Sequence, residues 1–200
     1  MEDLEKIRQE ILKCKKCDLY KTKTNYVPGS GDPRARLVFV GEAPGREEDL
    51  QGEPFVGSAG KLLTEMIESI GLKRSDVFIC NVLKCRPPNN RDPTENEIRA
   101  CGDYLRRQLE AIRPDLIVCL GRFAANFVFN LFGLKFTSIT KVRGREFKVN
   151  RWGKEVRIFP IYHPAAILYR PQLREEYEEE FRRIKEMLGI KRGSTLLDFI

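Results

Sequence analysis

One stretch limits the fold of this chain more than any other: a short apolar run followed by a segment rich in glycine. Residues 37–40 read LVFV, a run of β-forming residues that predicts a buried strand. Glycine and proline punctuate the long loop expected at 41–57, and a helical pattern then begins at Ser58 or Ala59 and ends at Gly71. This order is typical of the ligand-binding edge of an open α/β sheet. The alternative is a solvated connector, which is disfavoured because loops of this length in compact domains are usually functional or disordered.

The rest of the chain continues the alternation of strands and helices. Thr94 and Glu97 fit a capping box for a helix through about Ile112, and residues 173–188 predict an amphipathic helix. Strands alternating with helices favour a parallel sheet covered on both faces, and we expect a single domain over residues 1–192. Further strands are predicted at 77–82, 115–120, 145–149 and 155–159, the last two as a hairpin or the final strand pair.

Composition and charge narrow the class of protein. Of the 200 residues, 42% are hydrophobic and 32% are charged, and no window approaches the apolar length of a membrane helix. The polar N-terminus carries no secretory signal, so we expect a cytoplasmic, prokaryotic protein without a membrane partner. The net charge of +7, concentrated near 13–23 and 141–157, suits a polyanion such as nucleic acid, although solvated lysines alone would account for it equally well.

The six cysteines divide into two sets. Disulfides are rare in the cytoplasm, so the thiols are expected to be metal ligands or buried small side chains. Cys80 and Cys119 lie in predicted strands and are most simply core residues. The remaining four lie outside strands and suit zinc or a [4Fe–4S] cluster, with unligated thiols as the alternative. These four are Cys14 and Cys17, in a C-x2-C pair, and Cys85 and Cys101, with fifteen residues between them.

Four motifs follow one another along the chain and together carry a family resemblance. They are GEAPG at 41–45, PFVG at 54–57, NVLKCRPPNNRDPT at 81–94 and YHPAA at 162–166. With the cysteine pattern, they resemble the family 4 uracil-DNA glycosylases, the iron–sulfur members of the uracil-DNA glycosylase superfamily. The match spans about residues 10–190, and its strength lies in the four motifs occurring in order.

The resemblance implies a fold, a cofactor and a reaction. The fold is a three-layer α/β/α sandwich with a four-stranded, mostly parallel central sheet. The cofactor is a structural [4Fe–4S] cluster on Cys14, Cys17, Cys85 and Cys101. The reaction is hydrolytic removal of uracil from single- or double-stranded DNA, which leaves an abasic site for base excision repair. No lysine stands out as a Schiff-base nucleophile, so we expect a monofunctional enzyme that does not cleave the strand.

Three residues then take roles that their chemistry supports. Uracil inside a duplex is out of reach, so the nucleotide must flip into a pocket. Phe55 offers an aromatic face for stacking, and Asn81 offers an acceptor for uracil N3–H and a donor for O4. His163, the only histidine, would donate to O2 as negative charge develops there.

The identity of a general base stays open. Other families of the superfamily carry Asp or Asn where this chain has Ala43. Glu42 is the first candidate for positioning water or stabilising an oxocarbenium ion, and Glu48 is the second. Asn90 is a weaker candidate for orienting water or a phosphate.

Backbone and helix-end contacts complete the expected substrate site. N–H groups of the turn from Gly41 to Ala43 are expected to contact the base or the developing anion. Ser58, at a helix N-terminus, is expected to meet a phosphate. The segment 165–170 resembles the one that enters the minor groove in relatives, where an apolar wedge fills the gap left by the base.

The C-terminal tail, residues 193–200, has the spacing of a sliding-clamp-binding box. Leu196, Phe199 and Ile200 would be the apolar contacts, although Gly193 stands where glutamine is usual. The alternative is a tail that packs on its own domain. We expect a monomer. The rival functions are a glycosylase for another damaged base and a non-catalytic iron–sulfur nucleic-acid-binding module.

Overall fold

The computed structural model describes residues 3–190, whose centre is a six-stranded sheet in the order β1-β3-β2-β4-β6-β5. The four strands β3, β2, β4 and β6 are mutually parallel, and β1 and β5 pair antiparallel at the two edges. The strands are β1 (Ser30–Gly31), β2 (Leu37–Gly41), β3 (Phe78–Asn81), β4 (Leu116–Leu120), β5 (Phe147–Arg151) and β6 (Lys154–Ile161).

The prediction of a four-stranded sheet is therefore wrong, although the α/β class is confirmed. The extra edge at β5 forms because Trp152 and Gly153 both have positive φ angles, 56° and 75°, which suit a two-residue hairpin turn. The other edge is the two-residue β1, whose Gly31 lies opposite Phe78. Side-chain patterning does not reveal a strand of two residues.

Eight α-helices are described, and they include one that the sequence did not suggest. Within the segment expected to be a loop, Arg46–Gln51 forms a helix, so the prediction of a continuous loop at 41–57 is wrong. Its first turn carries three acids, which favour a helix N-terminus. The helices are α1 (Leu4–Ile11), α2 (Arg46–Gln51), α3 (Ser58–Ser69), α4 (Glu95–Ile112), α5 (Arg122–Leu131), α6 (Ile139–Val142), α7 (Pro164–Tyr169) and α8 (Arg174–Met187).

Two of the apolar clusters in the described residues lie on opposite faces of the sheet, and successive residues of β2 alternate between them. Phe39 packs in one cluster with residues of α3 and α8, whereas Val38 and Val40 pack in the other with residues of α4 and α5. Because neighbouring residues of a strand point to opposite faces, helices cover both sides of the sheet. The edge where the parallel strands end remains accessible.

Two further details bear on the sequence analysis. The predicted capping box at the start of α4 is confirmed, since Glu97 N donates to Thr94 Oγ1 and Thr94 N donates to Glu97 Oε2. Within residues 3–190, no helix combines the length and apolarity needed to cross a membrane. The predicted clamp-binding residues Leu196, Phe199 and Ile200 lie outside the described residues.

Candidate active site

The functional motifs meet where the parallel strands end. From β2 the chain passes to β3 on one side and then returns to β4 on the other, so the strand order reverses at β2. In open α/β sheets, ligands bind beside the carboxyl ends of strands at such a reversal. Glu42 follows β2, Asn81 ends β3, and His163 lies two residues after β6.

A cleft of about 740 Å³ opens at this edge of the sheet. It gathers every non-cysteine residue predicted for the site except Gly41, which lies directly behind it. A Cβ atom on Gly41 would lie 2.6 Å from Phe55 Cζ and would clash with Asn81 Oδ1. The predicted residues that line the cleft are Glu42, Ala43, Glu48, Phe55, Ser58, Asn81, Asn90 and His163.

Phe55 forms one wall of the cleft in a strained backbone conformation. Its φ angle is +52°, which is unfavourable for a bulky residue, and its side chain is buried. The guanidinium of Arg74 donates to the carbonyl oxygens of Pro54 at 2.7 Å and Phe55 at 3.1 Å, which stabilises this turn. The ring lies 5.5 Å from that of His163, centroid to centroid. Phe55 is therefore a fixed aromatic surface.

Glu48 holds the other side of the same loop. One carboxylate oxygen accepts hydrogen bonds from Val56 N at 3.0 Å and Gly57 N at 2.9 Å, and the other accepts one from Gly45 N at 3.1 Å. Such charge-assisted bonds are stronger than neutral ones. Both oxygens of Glu48 thus organise the loop, while a direct part in activating water stays a prediction.

Asn81 presents an unusual buried acceptor to the cleft. The residue is 2% exposed, yet its Oδ1 accepts no hydrogen bond from any residue in 3–190. Buried polar atoms in proteins are nearly always paired, so an unpaired one in a cleft indicates a ligand contact. The side chain also lies against the ring of Phe55, because both would contact a Cβ atom at Gly41.

His163 is arranged as a neutral hydrogen-bond donor. Its Nδ1 accepts a hydrogen bond from Ala165 N at 3.2 Å at the start of α7, so a neutral imidazole carries its proton on Nε2. Burial lowers the pKa of His163 to about 4, against a smaller opposing effect of the Glu48 carboxylate. The imidazole is therefore uncharged near neutral pH, with Nε2–H as its donor.

Glu42 differs from Glu48 in its environment. Burial, reinforced by the nearby Asp92 carboxylate, raises the pKa of Glu42 to about 7, while Arg122 acts in the opposite direction. A carboxyl group with this pKa can exchange a proton at neutral pH. Asn90, also on the cleft wall, has φ +54° and accepts a hydrogen bond from Arg86 Nε at 2.7 Å, so its amide orientation is fixed.

Ser58 lies exposed at the first position of α3 and lines the cleft. The N-terminus of a helix this long favours anions, since its first N–H groups lack partners within the helix. Ser58 is thus in a suitable position for a phosphate of bound DNA.

The four candidate metal-ligating cysteines also meet, away from the cleft. A small pocket between the end of α1, the segment after β3 and α4 is lined by Cys14, Cys17, Cys85 and Cys101, hereafter the four-cysteine group. Burial raises the pKa of Cys101 to about 11 and also raises the pKa of Cys17 and Cys85. A metal would have to displace these protons. As predicted, Cys80 and Cys119 are buried in strands.

The structure singles out two side chains of the predicted wedge segment 165–170, and it adds two residues that the sequence analysis missed. Tyr169 and Leu168 line the cleft at the end of α7 and are 86% and 45% exposed, which is unusual for large apolar side chains. The missed residues are Arg74, which donates to Pro54 O from twenty residues away, and Lys84, which donates to Asn81 O three residues away and to Gln108 Oε1. The apolar character of the segment 165–170 marked Leu168 and Tyr169 in the sequence, whereas no local pattern marks Arg74 or Lys84.

Comparison with known proteins agrees with this geometry. The family model described as the uracil DNA glycosylase superfamily matches residues 28–188. A type-4 uracil-DNA glycosylase of Archaeoglobus fulgidus is 68% identical over the full length of both chains. Type-4 uracil-DNA glycosylases of Sulfurisphaera tokodaii and Saccharolobus solfataricus are 56% and 53% identical and cover 100% and 96% of this chain, and 91% and 89% of their own. The chain belongs to the uracil-DNA glycosylase superfamily and, within it, to the type-4 family.

Proposed function

We propose that this protein is a DNA repair enzyme that hydrolyses the N-glycosidic bond of uracil in DNA and leaves an abasic site. The observation that carries the proposal is the unpaired, buried Oδ1 of Asn81 in a cleft walled by Phe55. A flipped uracil stacked on this ring would donate N3–H to Oδ1 and accept at O4 from the amide group. Cytosine lacks the N3–H donor, so the amide discriminates between the two bases.

The departing base is stabilised by His163. As the glycosidic bond breaks, negative charge gathers on uracil O2, and a preorganised donor in a dry site lowers the barrier. The Nε2–H of the neutral imidazole is such a donor, supported by the bond from Ala165 N to Nδ1. Backbone N–H groups from Gly41 to Ala43 add further donors near the base.

Glu42 is our first candidate for positioning the attacking water and stabilising the oxocarbenium-like sugar. Its pKa of about 7 means that a substantial fraction is ionised at neutral pH. Asn90 orients water or a phosphate, and Ser58 at the start of α3 binds a phosphate. Tyr169, which is exposed at the rim, is the candidate wedge that occupies the space left by the flipped base.

We also propose that the four-cysteine group holds a [4Fe–4S] cluster. The support is that its four thiols line one pocket, which joins the segment after α1 to the segment after β3 and to α4. Within residues 3–190, no three His, Cys, Asp or Glu side chains are arranged to hold a single metal ion. The proposed [4Fe–4S] cluster would take one thiolate on each of its four irons. Its role is structural, because it would tie the N-terminal segment to the domain.

One assay tests the function directly. The purified protein is incubated with oligonucleotides carrying one uracil, opposite guanine, opposite adenine or in a single strand, and with cytosine-containing controls. Free uracil is measured by chromatography, and strand breaks are measured before and after alkali. We expect uracil release with breaks only after alkali, and loss of release in Asn81→Ala.

Four results would count against these proposals. Release of a different base would favour a glycosylase for another lesion, and DNA binding without release would favour a binding module. Breaks without alkali would refute the monofunctional mechanism. A fully active, colourless protein that contains zinc and no iron would refute the cluster.

A further inference from the structure

Lys84 is a buried lysine whose hydrogen bonds connect the four-cysteine group to Asn81. The residue is only 1% exposed. Its backbone N–H donates to Cys101 Sγ at 3.2 Å, and its Nζ donates to the backbone oxygen of Asn81 at 2.7 Å. A second bond from Nζ, also of 2.7 Å, goes to Gln108 Oε1 on α4. The two ends of Lys84 thus contact a cysteine of the group and the residue proposed to read the base.

The surroundings of the Lys84 Nζ are a second observation. No carboxylate within residues 3–190 forms an ion pair with Lys84, and both acceptors of its Nζ are neutral. Lysine is almost never fully buried without a charged partner, because removing an ammonium group from water is costly. A cluster held by four thiolates would carry a net negative charge, which would favour the ammonium form of Lys84.

We propose that Lys84 is a positioning residue that couples the four-cysteine group to Asn81 and thereby sets the affinity of the cleft for the uracil ring. This inference rests on the proposed function. The bond from Nζ fixes the carbonyl of Asn81, the last residue of β3, from which the amide side chain extends into the cleft. Gln108 holds the ammonium against α4, and its own Nε2 donates to Pro28 O at 2.8 Å.

The proposal makes the iron–sulfur cluster part of base recognition as well as of folding. With the bond from Lys84 N to Cys101 Sγ in place, the segment from Asn81 to Lys84 is held at both of its ends. Without the Nζ of Lys84, the carbonyl oxygen of Asn81 and Oε1 of Gln108 would be buried acceptors without this donor. The segment would then shift so that these oxygens meet other donors. The amide of Asn81 would move with it, and a displaced amide binds the uracil ring less well.

The test compares Lys84→Met with a matched substitution, Lys73→Met. Lys73 is exposed and precedes β3, at the opposite edge of the sheet from the cleft. Iron content per chain, thermal midpoint and the affinity for free uracil, titrated by calorimetry, are measured for each protein. We expect iron-replete Lys84→Met to bind free uracil about tenfold more weakly, the effect of losing one neutral hydrogen bond between the Asn81 amide and the ring. Lys73→Met should behave as wild type.

A second arm tests the coupling itself. Iron is removed with a chelator from the wild type and from Lys84→Met, and the uracil titration is repeated. If Lys84 transmits the effect of the cluster, iron removal weakens uracil binding in the wild type and weakens it no further in the variant, because coupled changes are non-additive. Independent, additive losses would overturn the coupling.

The outcomes separate a positioning role from a structural one. A purely structural lysine would lower the thermal midpoint without changing uracil affinity in the folded, iron-replete protein, and that result would overturn the proposal. If Lys84→Met yields no soluble protein, Gln108→Met removes one acceptor of Nζ and should weaken uracil binding in the same direction; unchanged binding would refute the role. A wild-type protein that releases no uracil from DNA would refute the proposed function instead.

Discussion

Replacement of Gly41 by alanine should inactivate the cleft while preserving the fold. Gly41 ends β2, and a Cβ atom there would lie 2.6 Å from Phe55 Cζ and would clash with Asn81 Oδ1. Neither neighbour can yield easily, because Phe55 is held by Arg74 and Asn81 is buried. The two groups that enclose the base must therefore be displaced, although the strand itself accommodates alanine.

The size of the effect follows from these distances. To bring the added Cβ atom and Phe55 Cζ to ordinary van der Waals distance, the ring must move by about 1 Å. A misplacement of about 1 Å in a group that positions the substrate lowers rates roughly 100-fold. That factor corresponds to about 2.7 kcal/mol of activation free energy. We expect kcat/KM for a uracil-containing single strand to fall by this factor in Gly41→Ala, measured as uracil released in single-turnover and steady-state assays.

Gly57→Ala is the matched control. Gly57 lies in the same loop, its φ of −76° is open to alanine, and a Cβ atom there would come no closer than 3.4 Å to Glu48 Oε1. This variant should retain activity within a small factor. Wild-type kcat/KM in Gly41→Ala, with an unchanged thermal midpoint, would refute the claim that Phe55 and Asn81 enclose the base.

Three further predictions follow from the site. If Glu42 must be ionised, activity should rise through about pH 7, and Glu42→Gln should flatten this pH profile. Because His163 is neutral above about pH 4, its titration should add no step between pH 5 and 8. A step near 6.5 that remains in Glu42→Gln would contradict the assignment of His163 as a neutral donor. Glu48→Gln places an amide donor against loop N–H groups and should cost about 1–3 kcal/mol of stability in a urea titration, whereas exposed Glu47→Gln should not. Tyr169→Ala should slow release from U·A duplexes more than from single strands, and an equal effect on both would rule out a wedge.

The local parts of this structure were predictable from the sequence. The buried strand at 37–41 follows from its apolar run, and the capping box of α4 follows from Thr94 and Glu97. The site residues were located by motif order, and the structure does bring Phe55, Asn81 and His163 into one cleft. The strand and the capping box share one physical basis, since each depends on side-chain periodicity or on residues close together in the chain. The site residues came from the family resemblance, and their roles stay predictions.

The parts that were missed depend on contacts between distant segments. Arg74 supports the Phe55 turn from nineteen residues away, and Lys84 meets Gln108 across twenty-four. The strand β1 likewise exists only because Ser30 and Gly31 meet β3. Such partners are chosen by the folded topology, so neither propensity nor periodicity identifies them.

The rigidity of the Phe55 turn has a consequence for which substrates react fastest. Arg74 and Glu48 hold this surface from two sides without any DNA, so little of the protein must be ordered when a base arrives. The remaining rearrangement is the opening of the helix by the nucleic acid itself. Rates should then be ranked by how readily each uracil leaves its stack: unpaired uracil first, the wobble pair with guanine next, and the pair with adenine last.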